Sequence, residues 1–335
     1  MSFKSLCIGA AFALSATVFP QVSVADEATL LTEIDNSEEY IYVSALGNLE
    51  FFNAQKYGWK VAGDAFGVET TYVGPPDADI PAMVAALDGA IAKRPAGIAV
   101  WGFNDALTPS INRAASAGIP IVTVLGDLPN SNRLGYIGSY QYDLGFVGGQ
   151  GLTKALDNEG KVAVLTLPGL DMFDQREQGF RDAFDGTGLE VVAVGDTKAD
   201  MVTSINTAKD ILVRQPDLNA FVATDSVGAM GAATAIKELG RTGEVLVIGM
   251  DRNSDVLERI KDGTVTASVA QGDVQMGYWA LAALITANHA NVPLTTDNKA
   301  AGAQFLPTNI FTGANFIDQS NVDFYLGAND QYSNF

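Results

Sequence analysis

The sequence holds a single cysteine, Cys7, and a single histidine, His289, in 335 residues. One cysteine excludes an internal disulfide and a thiolate metal site. One histidine removes histidine-based metal centres and the histidine-dependent catalytic triads. Basic residues are scarce as well: 20 Lys and Arg stand against 39 Asp and Glu, a formal charge of −19. A surface of that sign repels phosphate, so nucleic acid and anionic lipid are not expected as partners. No Gly-x-x-x-x-Gly-Lys-Ser/Thr phosphate loop occurs. Gly148-Gly149-Gln150-Gly151 lies inside a stretch of helical spacing and not after a strand, so it reads as helix packing and not as a dinucleotide fingerprint. With the usual acid–base and nucleophile constellations missing, the expectation is a protein without catalytic residues, cofactor or metal.

Long apolar runs are also missing, apart from residues 6–19. Lys4 is the only charge before Asp26, and Ser23-Val24-Ala25 sets small residues ahead of a cut before Asp26. These features predict a cleavable export signal over residues 1–25. The run is short for a membrane span, and Cys7 sits too early in it to be the modified cysteine of a lipoprotein. The remaining residues, about 310, exceed what one hydrophobic core usually holds, and two domains are expected.

What is present is a regular alternation. Short β-rich runs fall at 41–45, 70–73, 97–101, 119–125, 161–167, 191–194, 220–224, 246–250 and 265–270. Stretches of helical spacing lie between and after them, at 51–66, 80–92, 106–117, 144–156, 175–184, 201–213, 227–239, 254–261 and 274–288. Runs such as Val162-Ala163-Val164-Leu165 and Val245-Leu246-Val247-Ile248 are apolar throughout, as parallel strands covered on both faces are. Gly67, Gly118, Gly188 and Gly240 mark expected helix ends, and Asp200 and Ser254 expected N-caps. The alternation runs twice, over 41–139 and 161–271, which predicts two similar α/β lobes with open parallel sheets.

In such sheets ligands bind beyond the carboxyl ends of the strands. There the sequence sets Asn48, Glu50, Phe51 and Phe52 after the first strand, Trp101 after the third and Asp127 after the fourth. Arg176, Asp225, Asp251 and Gln271 follow strands of the second half. Carboxylates and a guanidinium fork hold neighbouring hydroxyls in pairs, and an aromatic ring covers the C–H face of a sugar. Each residue also has a plainer use. Phe51 and Phe52 could be core, Asp225 and Asp251 helix N-caps, and Arg176 a surface residue. Trp101 could pack under a loop, and Asp127 could open a turn with Pro129-Asn130.

At these positions the sequence resembles the ribose-binding-protein family, the periplasmic sugar-binding proteins of ABC transporters. Asn48-Leu49-Glu50-Phe51-Phe52, followed by Gly58, is similar to the family's Asn-Pro-Phe-Phe opening of the first helix, with one extra residue. Residues 117–123 resemble the strand before a ligand-binding acidic turn, and Arg176-Glu177-Gln178-Gly179-Phe180 the helix that supplies a ligand-binding arginine. Ala223-Thr224-Asp225-Ser226 aligns with a segment in which an Asn binds ligand. Gly249-Met250-Asp251 and Val269-Ala270-Gln271 match positions of a ligand-binding Asp and Gln. The acidic turn departs from the pattern: Leu125 and Gly126 occupy its acidic and arginine positions, leaving Asp127 as the one stand-in.

The resemblance implies a type I periplasmic binding protein with a hinge of three strands near Ser139, Gln271 and Ala303. The first lobe would be residues 38–138 plus 272–302, the second 139–271 plus 303–330. It further implies a monomer that works with the permease subunits of an ABC importer and closes on its ligand. A cleft with Asp at 225 and no arginine at 126 points to a neutral or cationic sugar, polyol or amino sugar, because an anion would meet like charge. Two other uses of the fold compete: a ligand sensor for a membrane receptor, and a sugar-responsive repressor. The repressor would need an N-terminal DNA-binding helix pair where the export signal stands.

Overall fold

The computed structural model describes residues 31–77, 79–298 and 300–335; the predicted export signal lies outside them. Two six-stranded sheets organise the chain. The first contains β1 (Glu39–Val43), β2 (Glu69–Val73), β3 (Gly97–Trp101), β4 (Ile121–Val124), β5 (Tyr136–Gly138) and β11 (Asn309–Phe311), in the order β11-β5-β4-β3-β1-β2. The second contains β6 (Glu159–Thr166), β7 (Gly188–Asp196), β8 (Ala220–Ala223), β9 (Leu246–Met250), β10 (Ala267–Gln271) and β12 (Ala314–Asp318), in the order β12-β10-β9-β8-β6-β7. All pairings are parallel except that of β12 with β10. In each sheet the first strand in sequence lies inside the second, so strand order reverses beside it. That reversal opens a crevice at the strands' carboxyl ends.

Alternation along the strands builds a core on both faces of each sheet. Tyr40 and Tyr42 point into a cluster under α1 (Phe51–Phe66) and α9 (Asp273–His289). Ile41 and Val43 point the other way, under α2 (Ile80–Ala92) and α3 (Thr108–Ser116). In the second lobe, Val162 and Val164 meet α4 (Gln141–Ala155) and α5 (Asp171–Phe184). Ala163 and Leu165 meet α6 (Met201–Arg214), α7 (Ser226–Glu238) and α8 (Ser254–Lys261), and the start of α10 (Val322–Tyr332) joins them.

Glycines set the closest helix contacts. A Cβ on Gly58 or Gly277 would overlap the backbone of the partner helix between α1 and α9, and one on Gly145 or Gly179 would do so between α4 and α5. Gly148 and Gly149 pack on Phe180 and Ala183, and Gly151 on Phe316, as expected for a helix-packing run.

The chain crosses between sheets three times: at Ser139-Tyr140, at Gly272 and at Thr312-Gly313. The third crossing was expected near Ala303. It falls later because β11 pairs with β5, and Gln304 and Leu306 are already tied to the first lobe, through the Leu134 carbonyl and the core. Ser139 Oγ donates to the Gly313 carbonyl at 2.7 Å and lies 3.2 Å from Thr312 Oγ1. A Cβ at Gly272 would come within 2.6 Å of the Thr312 carbonyl oxygen. The three crossings are therefore stitched side by side. Other differences are local: Gly186 and not Gly188 takes the left-handed turn after α5, and the N-cap of α8 is Asn253 with Ser254 the first helical residue. Among the described residues, no helix is long and apolar enough to cross a membrane.

Candidate ligand-binding site

The second lobe gathers charge. Arg176 sits on the first turns of α5, which Gly145 lets approach α4 closely, and it is 3% exposed. Its Nε donates to Gln141 Oε1 at 2.8 Å and its Nη1 to the Thr224 carbonyl at 2.7 Å, while the Phe173 ring lies 5.5 Å beneath. Burial pulls the guanidinium pKa down, and the nearby Asp251 and Asp225 carboxylates oppose that pull.

Asp225 caps α7, accepting from the Gly228 N–H at 2.8 Å, so the plainer reading holds without exhausting the carboxylate. Burial raises the pKa of both Asp225 and Asp251 despite Arg176. Asp251 takes a left-handed φ of +71°, which Asp tolerates better than most residues. Its carbonyl accepts from Ser268 Oγ at 2.6 Å, and its carboxylate has Gln271 and Ser226 beside it. Gln271 is 5% exposed at the end of β10. Arg176, Asp225, Asp251 and Gln271 thus converge, four expected residues from four elements.

The first lobe gathers rings. Phe51 meets Phe52 edge-on at 5.2 Å, Phe52 meets Trp101 at 5.1 Å, and Trp101 stacks on Phe103 at 4.1 Å and 28°. Phe52 is fully buried and serves the core; Phe51, Trp101 and Phe103 are partly exposed. Phe103 was not among the expected residues, although its place two residues after Trp101 at a strand end was a usable signal.

Three expected residues stand elsewhere. Asn48 is exposed on a first-lobe groove of about 190 Å³ shared with Lys56 and Tyr72. Glu50 reaches across the seam between the lobes, accepting from the Ser254 N–H at 3.2 Å, from Ser254 Oγ and from Asn329 Nδ2 at 3.3 Å. Asp127 accepts from Thr123 Oγ1 and the Leu128 N–H at 2.8 Å each, and pairs with Arg133. The acidic turn therefore has an arginine partner after all, six residues downstream. The expectation that this turn makes the cleft more acidic is corrected: the pair is neutral.

A cavity of about 150 Å³ opens at the seam between the lobes, with Phe51 and Glu50 on one wall and Arg252, Ser254, Asn329 and Asp273 on the others. Of the expected residues only Glu50 and Phe51 line it. Asp273 was missed by sequence because a first-turn helical Asp needs no ligand to explain it. In the structure it is 3% exposed, and burial and Asp251 push its carboxyl well above the usual range. Among the described residues no cluster of His, Cys, Asp and Glu could hold a metal ion.

Residues 40–289 match the model of the periplasmic binding protein domain family. A D-ribose/D-allose-binding protein of Pseudomonas aeruginosa is 28% identical over 210 residues, 61% of this chain and 58% of that protein. The chain thus spans under two thirds of that curated relative. Solved structures match over more of their length. The arabinose-binding protein AraP of Geobacillus stearothermophilus superposes with a TM-score of 0.81 at 31% identity, over 86% of this chain and 99% of that one. A sugar-binding protein of a sugar ABC transporter from Bacillus halodurans gives 0.82 at 32%, over 86% and 100%.

Proposed function

The chain belongs to the periplasmic binding protein family, and from that premise we propose that it is the solute-binding protein of an ABC importer. Its ligand is a neutral or cationic sugar, polyol or amino sugar, held in the inter-lobe crevice. Members of this family bind substrates and do not transform them, so the site is read as a binding site throughout.

One observation carries the reading. A buried guanidinium set against two carboxylates, Arg176 with Asp225 and Asp251, stands in the lobe opposite a run of partly exposed rings, Phe51, Trp101 and Phe103. Hydroxyl pairs suit the first group and the C–H face of a sugar ring suits the second. Gln271 extends the polar wall. An isolated polar wall would bind many solutes; rings opposite it favour a flat, hydroxylated one. Relatives named for ribose, allose and arabinose support the same class.

Contacts from both lobes would favour the closed arrangement, since only differential affinity shifts such an equilibrium. The three stitched crossings at Ser139, Gly272 and Thr312 are the natural hinge, and the closed shape is what permease subunits would read. The test is a thermal-shift screen of the purified protein against pentoses, hexoses, hexosamines and polyols. A ligand should raise the melting temperature with dose, as mass action requires. X-ray scattering should then show a smaller radius with that ligand. A protein that no sugar or polyol stabilises would overturn the reading.

A further inference from the structure

Asp273 is the first residue of α9, immediately after the hinge Gly272. It is 3% exposed, and its Oδ1 has no hydrogen-bond donor among the described residues. Gln271, on the other side of the hinge glycine and 5% exposed, is in the same condition. Its amide lies against the Asp251 carboxylate, and its Oε1 has no donor. Buried acceptors are almost always satisfied, so two open ones flanking the hinge glycine leave room for donors from a ligand.

The surrounding charge is one-sided. Asp225, Asp251 and Asp273 are faced by Arg176 and Arg252. Arg176 is committed to Gln141 and Thr224, whereas Arg252 holds Asn329 and the Tyr325 carbonyl through Nη2 alone, beside the rings of Tyr325 and Tyr332, and its buried Nε has no acceptor. With Asp273 protonated the charges balance; once it ionises, three carboxylates against two guanidiniums leave one negative charge. A neutral polyol would fill the open acceptors without balancing it; an ammonium group, with three donors and one positive charge, does both.

Resting on the sugar-binding reading above, we infer that the ligand carries a protonated amine, as an amino sugar or amino polyol does, seated among Asp251, Gln271 and Asp273, and that Asp273 selects it. The groups facing Asp273 are Asp251, Arg252, Arg176 and the Tyr42 hydroxyl, with Glu50 and Asp330 across the cavity. Burial and Asp251 favour its protonated form in the free protein. An arriving cation reverses that preference and expels the proton. Affinity for an amine therefore rises with pH through the titration of Asp273, and affinity for an uncharged sugar does not.

Calorimetric titration tests this with 2-amino-2-deoxyhexoses, each paired with its parent hexose and its N-acetyl derivative, between pH 5 and 8. The best amine should bind about tenfold tighter than its parent, a difference of about 1.4 kcal/mol. In Asp273→Asn the ratio of amine to parent-hexose affinity should fall to about one, and its pH slope should vanish. Repeating the amine titration of the unmodified protein in buffers of different ionisation enthalpy counts the released proton, so the result does not depend on the variant folding. Tighter binding of the neutral sugars, or equal loss for both classes in the variant, would overturn the inference and assign Asp273 to Arg252 and the hinge. Binding of no sugar in the panel, charged or neutral, would overturn the sugar reading itself.

Discussion

The two lobes share one strand order but present different chemistry at their strand ends. The first lobe offers rings on β3 and α1 and ties its acidic turn up internally, Asp127 with Arg133. The second offers buried charge held by its own backbone and amides, Arg176 on Thr224 and Gln141. The cores beneath are alike, alternating apolar residues on both faces of a parallel sheet. The fold is thus carried by what the lobes have in common and the site by where they differ, which is where function resides when one architecture serves many ligands.

If that division is right, the two walls should fail differently. The largest effect is expected from Arg176→Ala. It leaves Asp225 and Asp251 without their counter-ion and the Gln141 and Thr224 acceptors without donors, a loss on the order of 3–5 kcal/mol in stability. The ligand-induced thermal shift should disappear, and Arg176→Lys should not restore it, because an ammonium cannot serve both acceptors as the fork does. A variant that keeps full ligand response would break the contrast outright. Trp101→Ala comes next, on the other wall. It removes the ring that stacks on Phe103 and meets Phe52 at a tilt, and should weaken sugar binding about tenfold to a hundredfold. Calorimetry should show the loss without any change in the pH dependence of binding, since no charge is touched.

These residues were legible in the sequence for a physical reason. Strand periodicity located the strand ends, and ends of parallel strands are where side chains can converge. Phe51, Trp101, Arg176, Asp225, Asp251 and Gln271 could all be placed that way. What failed were positions decided by partners distant in sequence. Glu50 is taken by Ser254, 204 residues away, and Asp127 by an arginine whose role no spacing rule announces. Asp273 looked like ordinary dipole complementarity at a helix start, and its missing donor becomes visible only in three dimensions. The third crossing was misplaced because β11 is three residues long and leaves almost no periodic signal.

A smaller effect separates structure from binding within the charged wall. Asn caps a helix about as well as Asp, so Asp225→Asn should leave stability at pH 5 within about 0.5 kcal/mol. Its influence should appear with pH. Burial raises the folded carboxyl pKa of Asp225 and Asp251. A raised carboxyl gives its full stability below the unfolded value, about 3.9, and loses it as pH climbs through the folded value. Exposed Asp35, Asp200, Asp217 and Asp262 are shifted the other way, and their contribution is lost only in acid. The ligand-free protein should therefore melt lower at pH 8 than at pH 5, and Asp225→Asn should narrow that gap. A scan with no alkaline loss would show that the carboxylates are better solvated than their burial implies.

The smallest effect is expected where the walls meet. Glu50 joins the lobes through the Ser254 N–H and hydroxyl and through Asn329, all at an exposed seam where water competes. Other ties share the seam: Lys56 donates to the Phe335 backbone oxygen at 3.1 Å, and Tyr57 packs on Tyr332 and Phe335 at 4.8 and 5.3 Å. Glu50→Gln keeps the shape of the side chain and weakens one tie among several, so sugar affinity should fall by less than about fivefold. The fall would act through the fraction of molecules in the binding-competent arrangement and not through a lost ligand contact. Glu50→Gln and Tyr332→Ala should therefore each enlarge the ligand-free radius in X-ray scattering while leaving the ligand-saturated radius unchanged. If Glu50→Gln instead cost as much affinity as Trp101→Ala with both radii unaltered, Glu50 would belong to the site after all, and the first lobe would carry charge of its own into the crevice.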